Sequence, residues 1–556
     1  MIVGNVKFLK IKHHLVKKIS STKLSLVSAF IFATLFNTKI WQLYFANEPI
    51  QDIFDVLPML CFFLFLLLLT FALFSIFSFR GIQKIALSFF FLVSAVSLYF
   101  SISFNIFFDE SMLQNMLETD LHEAADLLTV GFWITLTITG LFPVVVIYSL
   151  KIDYHKHWKQ ISLNAGLVVM GLILSLVSLY PFYGDFSSFI RNNNKQLSHS
   201  LLPSAPIYAL YKNIVHVTNE QQIVKQLVDI NAKIHHPEKF HQKKPLALVV
   251  IVGETARASS FVLDDAAIFG YEKNLVEREG LIYFNNFWSC GTNTALSVPC
   301  MFSTFSKENY KREYNKQYEN VAEILQRVGY IVSWRENDGG CKGICKNLKN
   351  IPVDASNSEN FFHDGEYYDE ALVNDLSYQI KRRHKDQVIF LHQMGSHGPA
   401  YYKRVPTKYK KYQPACKSSN FRNCTDIEIK NAYNNTILYT KYVISTAIKQ
   451  LQLISDEYDT ALIFLSDHGE STGEKGYYLH GIPYFMAPDE QTHIPALMWL
   501  SKSFTETKMI DRQCLKSKAA QKYSHDNLSH SLLGLLDVEC EVYQPELDIF
   551  NNCVGS

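Results

Sequence analysis

The stretch PLALVVIVGE, residues 245–254, decides the reading of this chain. An unbroken aliphatic run closed by Gly253 suits a strand buried on both faces, as the central strands of a parallel sheet are. The same signature returns in YIVSW (330–334), QVIFLHQ (387–393) and TALIFLSD (460–467). The amphipathic stretch ENVAEILQRVG (319–329) precedes the second of these as helix precedes strand. Alternating strands and helices predict a mostly parallel sheet with helices on both faces. In such sheets ligands gather beyond the carboxyl ends of the strands.

Those ends carry a consistent set of side chains. Glu254 follows the first strand, and Asp467 and His468 close the last. GSHG, with His397, follows the strand at 387–393, and His480 lies in the LHG that comes after Asp467. Taken singly, each has an ordinary explanation, since a Glu after Gly is usually a cap and an Asp-His pair usually a turn. Together they offer imidazole and carboxylate at several neighbouring strand ends. Such mixed nitrogen and oxygen donors suit Zn²⁺ or Mn²⁺ better than Mg²⁺ or Ca²⁺, and Zn²⁺ is the expected ion. CGTNTALSVPC (290–300) supplies Thr292 and Thr294 just before an expected helix. Thr294 could serve only as a cap there. The start of a helix also offers free N–H groups and positive potential to a phosphate. A metal against the threonine oxygen would lower its pKa and make it a nucleophile.

The first 180 or so residues read differently. Of the whole chain, 48% is hydrophobic and only 19% charged, and the excess lies in this leading part. A membrane-spanning helix takes about 20 mostly apolar residues. Five segments meet that: 24–44, 54–78, 85–107, 127–149 and 161–182. Lysines 7, 10, 12, 17, 18 and 23 precede the first. Arg80 and Lys84 lie in one loop, and Lys151, Lys156 and Lys159 in another. The loop between the third and fourth segments is acidic, with Asp109, Glu110, Glu118, Asp120, Glu123 and Asp126. Basic loops stay in the cytoplasm, so an odd number of spans places everything after 182 outside it. The first segment lacks a clear cleavage site and is expected to remain as an anchor. The expected organisation is a transmembrane domain over 1–182, a connector of membrane-surface segments over 183–240, and an α/β domain over 241–556.

Ten cysteines agree with export. Cys61 sits in an apolar run, and six others form close pairs: Cys290 with Cys300, Cys341 with Cys345, and Cys416 with Cys424. Zinc ribbons want converging pairs of matched spacing. These spacings differ, which favours disulfides and an oxidising compartment. Among Cys514, Cys540 and Cys553, a bridge between Cys540 and Cys553 is the expected fourth. A net charge of +1 gives no reason to expect nucleic acid as a partner.

The motifs VVIVGETAR, SCGTNTALSVPCMFS, HQMGSHGP, SDHGES with YYLHGIPY, and SHDNLSHSLLGLLDV occur in that order. In them the chain resembles the lipid A phosphoethanolamine transferases, including the mobile colistin-resistance enzymes, within the alkaline phosphatase–sulfatase superfamily. The resemblance covers nearly the whole chain. It implies that Glu254, Thr294, Asp467 and His468 hold one principal zinc, with Thr294 as the nucleophile. His397 and His480 would contact the phosphoryl group, pass protons or bind a second zinc, and Lys342 would reach the donor phosphate. Asn115, Thr119 and Glu123 match a donor-recognition series, and at spacings of four they would share one face of a helix. The resemblance implies phosphatidylethanolamine as donor and a lipid A phosphate as acceptor, with diacylglycerol released. It also implies a monomer in the bacterial inner membrane with its catalytic domain in the periplasm, and resistance to polymyxins. The chain departs from the family pattern at Glu118, in Asn337-Asp338-Gly339-Gly340, and at Asn434 and Lys441; none of these was expected to touch the zinc ligands. Two rival readings are a membrane-tethered phosphodiesterase or sulfatase-like hydrolase and an inactive lipid sensor. No formylglycine context surrounds Thr294, and no metal ligand is missing. Among transferases, a core sugar, a glycan or a protein is an alternative acceptor.

Overall fold

The computed structural model describes residues 18–48, 50, 52–118, 121–220, 225–235, 244–261, 280–350, 361–363 and 366–555. The chain forms two compact units, one from Met1–Ile102 with Val130–Tyr208, the other from Ser103–Thr129 with Ala209–Ser556.

Among the described residues of the first unit, four helices are long and apolar enough to cross a membrane: Val56–Ile76, Gln83–Phe104, Val130–Ser149 and His157–Asn194. The expected first span is a bent pair, Ser21–Phe36 and Thr38–Asn47, turning by 55°. Counted as one crossing it makes five; counted strictly there are four, which corrects the expected five-helix domain to four or five. The bend falls at buried Asn37. Its amide donates to the Phe32 and Leu202 carbonyls (2.9 and 3.1 Å), and its oxygen accepts from the Leu202 N–H at 2.9 Å. Broken backbone is thereby paired inside protein, as an apolar medium requires. Val56–Ile76 packs along His157–Leu179. A methyl group added at Gly171 would stand 3.1 Å from the Ala72 methyl, the close approach that small residues allow.

The second unit is built on an eight-stranded sheet. Its strands are β1 (Leu246–Gly253), β2 (Leu281–Trp288), β3 (Ile331–Glu336), β4 (Lys349–Asn350), β5 (Gln387–His392), β6 (Asp459–Ser466), β7 (His493–Leu500) and β8 (Tyr523–Ser524). They lie in the order β8-β2-β7-β6-β1-β5-β3-β4. Every residue of β1 is buried, and each of its large aliphatic side chains stabilises the fold by about 1.5–3 kcal/mol. The sheet is mixed rather than mostly parallel, because β7 runs antiparallel to both β6 and β2. Around β1 the expected parallel order holds: Ser466 pairs with Gly253, His392 with Val252, and His392 with Glu336. The carboxyl ends of β6, β1, β5 and β3 are therefore flush.

The helices used below are α1 (Glu110–Glu118), α2 (Leu121–Leu127), α3 (Thr294–Met301), α4 (Val321–Arg327) and α5 (Asp426–Gln452). α4 and α5 each open on a capping box, Asn320 with Glu323 and Thr425 with Glu428. The acidic loop is part of this unit. α1 packs on α3, Glu110 pairs with Arg312 at 3.4 Å, and Asp126 binds Lys403 and Arg404.

The three expected disulfides are present: Cys290–Cys300, Cys341–Cys345 and Cys416–Cys424. The fourth joins Cys514 to Cys553, not Cys540 to Cys553. The Asp511 N–H bonds to the Cys553 carbonyl at 2.7 Å, laying the chain end against the helix that carries Cys514. Cys540 is a buried thiol in the core, and Cys61 is also free.

Candidate active site

Glu254 leaves β1, while Asp467 and His468 leave β6 one strand away. All three are essentially fully buried, and one ligand atom from each lies within 4.8 Å of the others. Thr294 begins α3, whose N-cap Asn293 accepts the Leu296 N–H at 3.0 Å. Its Oγ1 stands 3.2 Å from Glu254 Oε2, 3.3 Å from Oε1 and 3.4 Å from His468 Nε2. The other candidate, Thr292, is committed elsewhere: its hydroxyl donates to the Ile482 carbonyl at 2.7 Å.

The donor set fits a cation. Asp467 Oδ1 accepts the Thr255 and His468 N–H groups at 3.1 and 2.7 Å, while its buried Oδ2, 3.2 Å from His468 Nε2, has no hydrogen-bond partner among the described residues. His468 Nδ1 donates to the Gly469 carbonyl at 2.9 Å, leaving the Nε2 lone pair toward the cluster. Burial pulls His468 down to about 4, so the ring stays neutral. Two buried carboxylates beside a neutral imidazole and a hydroxyl leave negative charge that an ion of the Zn²⁺ class would neutralise.

His480 and His397 face one another with ring centroids 5.5 Å apart, and His480 stands 4.4 Å from His468. Burial and the neighbouring His480 hold His397 well below its ordinary value. Burial acts the same way on His480, but the Glu470 carboxylate, 2.8 Å from its Nδ1, outweighs it and raises the ring. Glu470 also accepts the Tyr401 hydroxyl at 2.5 Å. The GSHG loop is pinned over β1. Gly395 has φ +51°, a methyl group added there would lie 2.6 Å from the Glu254 carbonyl, and the Ser396 N–H donates to that carbonyl at 3.1 Å. Buried Asp369 accepts the Met394 and Gly395 N–H groups, both at 2.9 Å.

Beside α3 opens a cavity of about 340 Å³, lined by Gln114 of α1, Arg312, Lys316 and Lys342 among others. The expected donor-recognition series falls only partly among the described residues. Asn115 is half-buried on α1, Thr119 lies outside the described residues, and of Glu123, on α2, only the backbone is described.

Sequence reasoning passed over Glu470, Asp338 and His392. Glu470 lay inside the quoted SDHGES. His392 read as the end of a strand. Asp338 lay in the departing stretch and is in fact near a proposed ligand, within 4.8 Å of both Glu254 and His392, atom to atom.

A sheet with its ligands at flush carboxyl ends, a threonine at a helix start and a cation-fitting pocket define a phosphate- or sulfate-transferring enzyme of the sulfatase fold. The family model "Sulfatase" matches residues 247–538, and that described as "Phosphoethanolamine transferase EptA/EptB" matches 66–218. Phosphoethanolamine transferase EptA of Escherichia coli K12 is 38% identical over 471 residues, covering 84% of each chain. Phosphatidylethanolamine transferase Mcr-1 of Escherichia coli is 34% identical, covering 83% of this chain and 85% of that one. The solved integral membrane lipooligosaccharide phosphoethanolamine transferase A from Neisseria meningitidis superimposes with a TM-score of 0.89 at 32% identity, covering 97% of this chain and all of that one. The chain belongs to the phosphoethanolamine transferase family and is a multi-pass membrane protein.

Proposed function

We propose that this enzyme moves phosphoethanolamine from phosphatidylethanolamine to a lipid A phosphate, at the periplasmic face of the bacterial inner membrane. The observation that carries the reading is Thr294 Oγ1, set 3.2–3.4 Å from Glu254 and His468 at the start of α3. Zn²⁺ held by Glu254, Thr294, Asp467 and His468 supplies, when bound, positive charge that lowers the hydroxyl pKa and polarises phosphoryl oxygens.

In the first step Thr294 Oγ1 attacks phosphorus, and the bond to the diacylglycerol oxygen breaks. The hydroxyl proton is removed and a proton reaches the leaving oxygen, with His397 and His480 as carriers. In the second step an acceptor phosphate oxygen attacks the same phosphorus, the bond from phosphorus to Thr294 Oγ1 breaks, and Oγ1 takes a proton back from the histidine carriers. The first free N–H groups of α3 face the developing charge. Lys342, with Arg312 and Lys316 in the adjoining cavity, binds the donor phosphate. Asn115, Thr119 and Glu123 on the acidic loop recognise the ethanolamine. Placing a cation on lipid A would weaken its hold on cationic peptides such as polymyxins.

The test is mass spectrometry of lipid A from cells expressing the parent or Thr294→Ala. The parent should add phosphoethanolamine and release diacylglycerol, and the variant should do neither while remaining folded in the membrane. Lipid A modified equally by the variant would remove Thr294 from the mechanism. Free phosphoethanolamine in place of modified lipid A would make the enzyme a hydrolase.

A further inference from the structure

Adjacent to the cluster just described, and sharing Glu254 with it, is a second convergence of donor atoms. Glu254, Asp338 and His392 each offer one ligand atom, all within 4.8 Å of one another. They are 1%, 7% and 0% exposed. They come from three neighbouring strand ends, β1, β3 and β5, and the Asn337 N–H bonds to the His392 carbonyl at 3.0 Å to lock two of these together.

The His392 ring is held as a metal-binding histidine is held. Its Nδ1 meets Glu336 Oε1 at 2.9 Å. Glu336 is fixed in turn by the Trp334 indole at 2.6 Å and the Asp338 N–H at 2.9 Å. A carboxylate behind one ring nitrogen directs the lone pair of the other toward an ion. That other nitrogen, Nε2, is buried and has no hydrogen-bond partner among the described residues. It is 3.8 Å from Asp338 Oδ2. That is too long for a hydrogen bond and within the roughly 4.2 Å that two ligands each about 2.1 Å from one ion can span.

We infer that Glu254, Asp338 and His392 form a second divalent-cation site, with the Glu254 carboxylate shared between two ions. This rests on reading Glu254, Thr294, Asp467 and His468 as the first metal site. One imidazole and two carboxylates suit Zn²⁺. Paired ions sharing a ligand can hold the attacking and leaving oxygens of a phosphoryl transfer from two sides. Neither His397 nor His480 is needed for this site.

The test counts metal. Full-length protein in detergent is stripped with a chelator, titrated with Zn²⁺ alone, and measured by calorimetry and by elemental analysis after desalting. The parent should hold two equivalents. Asp338→Asn and His392→Gln should each hold one, and Asp467→Asn should lose the other. Thermal melts identify any variant that fails to fold, and the near-isosteric Asp338→Asn then carries the test. A parent saturating at one equivalent that Asp338→Asn leaves unchanged would overturn the second site and mean that a proton on His392 balances Glu336 and Asp338 instead. Two equivalents that survive Asp467→Asn but fall to one in Asp338→Asn would uphold the second site and refute the reading of the first.

Discussion

Replacing His525 by alanine removes a ring that ties together two segments of the active site. The side chain is 1% exposed. Its Nδ1 accepts the Cys290 N–H at 3.0 Å, and its Nε2–H donates to the Ser466 carbonyl at 2.9 Å. Cys290 opens the segment that carries Thr294, and Ser466 directly precedes Asp467 and His468. His525→Ala leaves both backbone groups buried and unpaired. At about 1–3 kcal/mol for each orphaned group, the loss is about 2–6 kcal/mol, before any cavity is counted. The ring works only when neutral, because a protonated Nδ1 cannot accept. Burial holds it down to about 4 from 6.5, worth about 3 kcal/mol. The sign follows from linkage. Between pH 6.5 and 4 the unfolded chain binds this proton and the native one does not. The contribution is therefore complete above about 6.5 and is lost as pH falls toward 4. Scanning fluorimetry at pH 7.5 should show a Tm lower by about 4 °C or more in His525→Ala, together with weaker Zn²⁺ binding. The loss of parent stability between pH 6.5 and 4 should be shallower in the variant. His525→Gln, which retains a donor and an acceptor, should fall between the two. A His525→Ala protein with unchanged Tm and Zn²⁺ affinity would refute the reasoning.

Three further expectations can be checked directly. Gly395→Ala puts a methyl group 2.6 Å from the Glu254 carbonyl at a φ of +51°, so Zn²⁺ affinity and transfer should each fall by about tenfold or more, the effect of about 1.4 kcal/mol; equal affinity in a titration would sink this. Loss of the Cys290–Cys300 bridge should cost about 2–4 kcal/mol in denaturant melts and reduce activity further, because the bridge clamps the α3 segment, and non-reducing peptide maps should recover Cys514–Cys553 with Cys540 free rather than a Cys540–Cys553 peptide. Glu123→Ala should raise the donor concentration needed for transfer in bilayers without altering metal content, and identical kinetics would reduce Glu123 to surface charge.

The inner strands were legible because β1, β5 and β6 are centred on unbroken apolar runs that only a doubly covered sheet can bury. The reversal of β7 was not. HIPALMWL reads like any buried strand, and direction is set by how the connection returns rather than by side chains. The convergence of Glu254, Asp467 and His468 was readable from their positions at strand ends. Residue type and spacing alone did not separate Thr294 from Thr292; the family resemblance chose Thr294, and the Ile482 carbonyl claims Thr292. Asp338 and His392 stayed hidden because their approach to Glu254 is set by the register of three strands, and nothing local marks a strand-terminal histidine as part of a buried cluster. Cys540 and Cys553 are near one another in sequence. The bridge instead spans a separation of 39 residues, because the chain end folds back onto the helix beginning at Arg512.

The acidic loop of residues 103–129 lies between two membrane spans in sequence, yet it belongs to the same compact unit as the sheet. The unit is therefore not encoded in one contiguous block. A recombination event that transplanted only the reading frame from about residue 209 onward would carry the sheet, α3 and the Glu254–Asp467–His468 cluster. It would leave behind α1 and α2, the Glu110 partner of Arg312, and buried Asp126, which binds Lys403 and Arg404. The vacated face would expose the flank of α3 on which α1 now packs. Genetic exchange of this activity should then favour transfer of the whole gene over shuffling of its soluble half, and chimaeras joined within the last spans should work only when loop and sheet descend from the same parent.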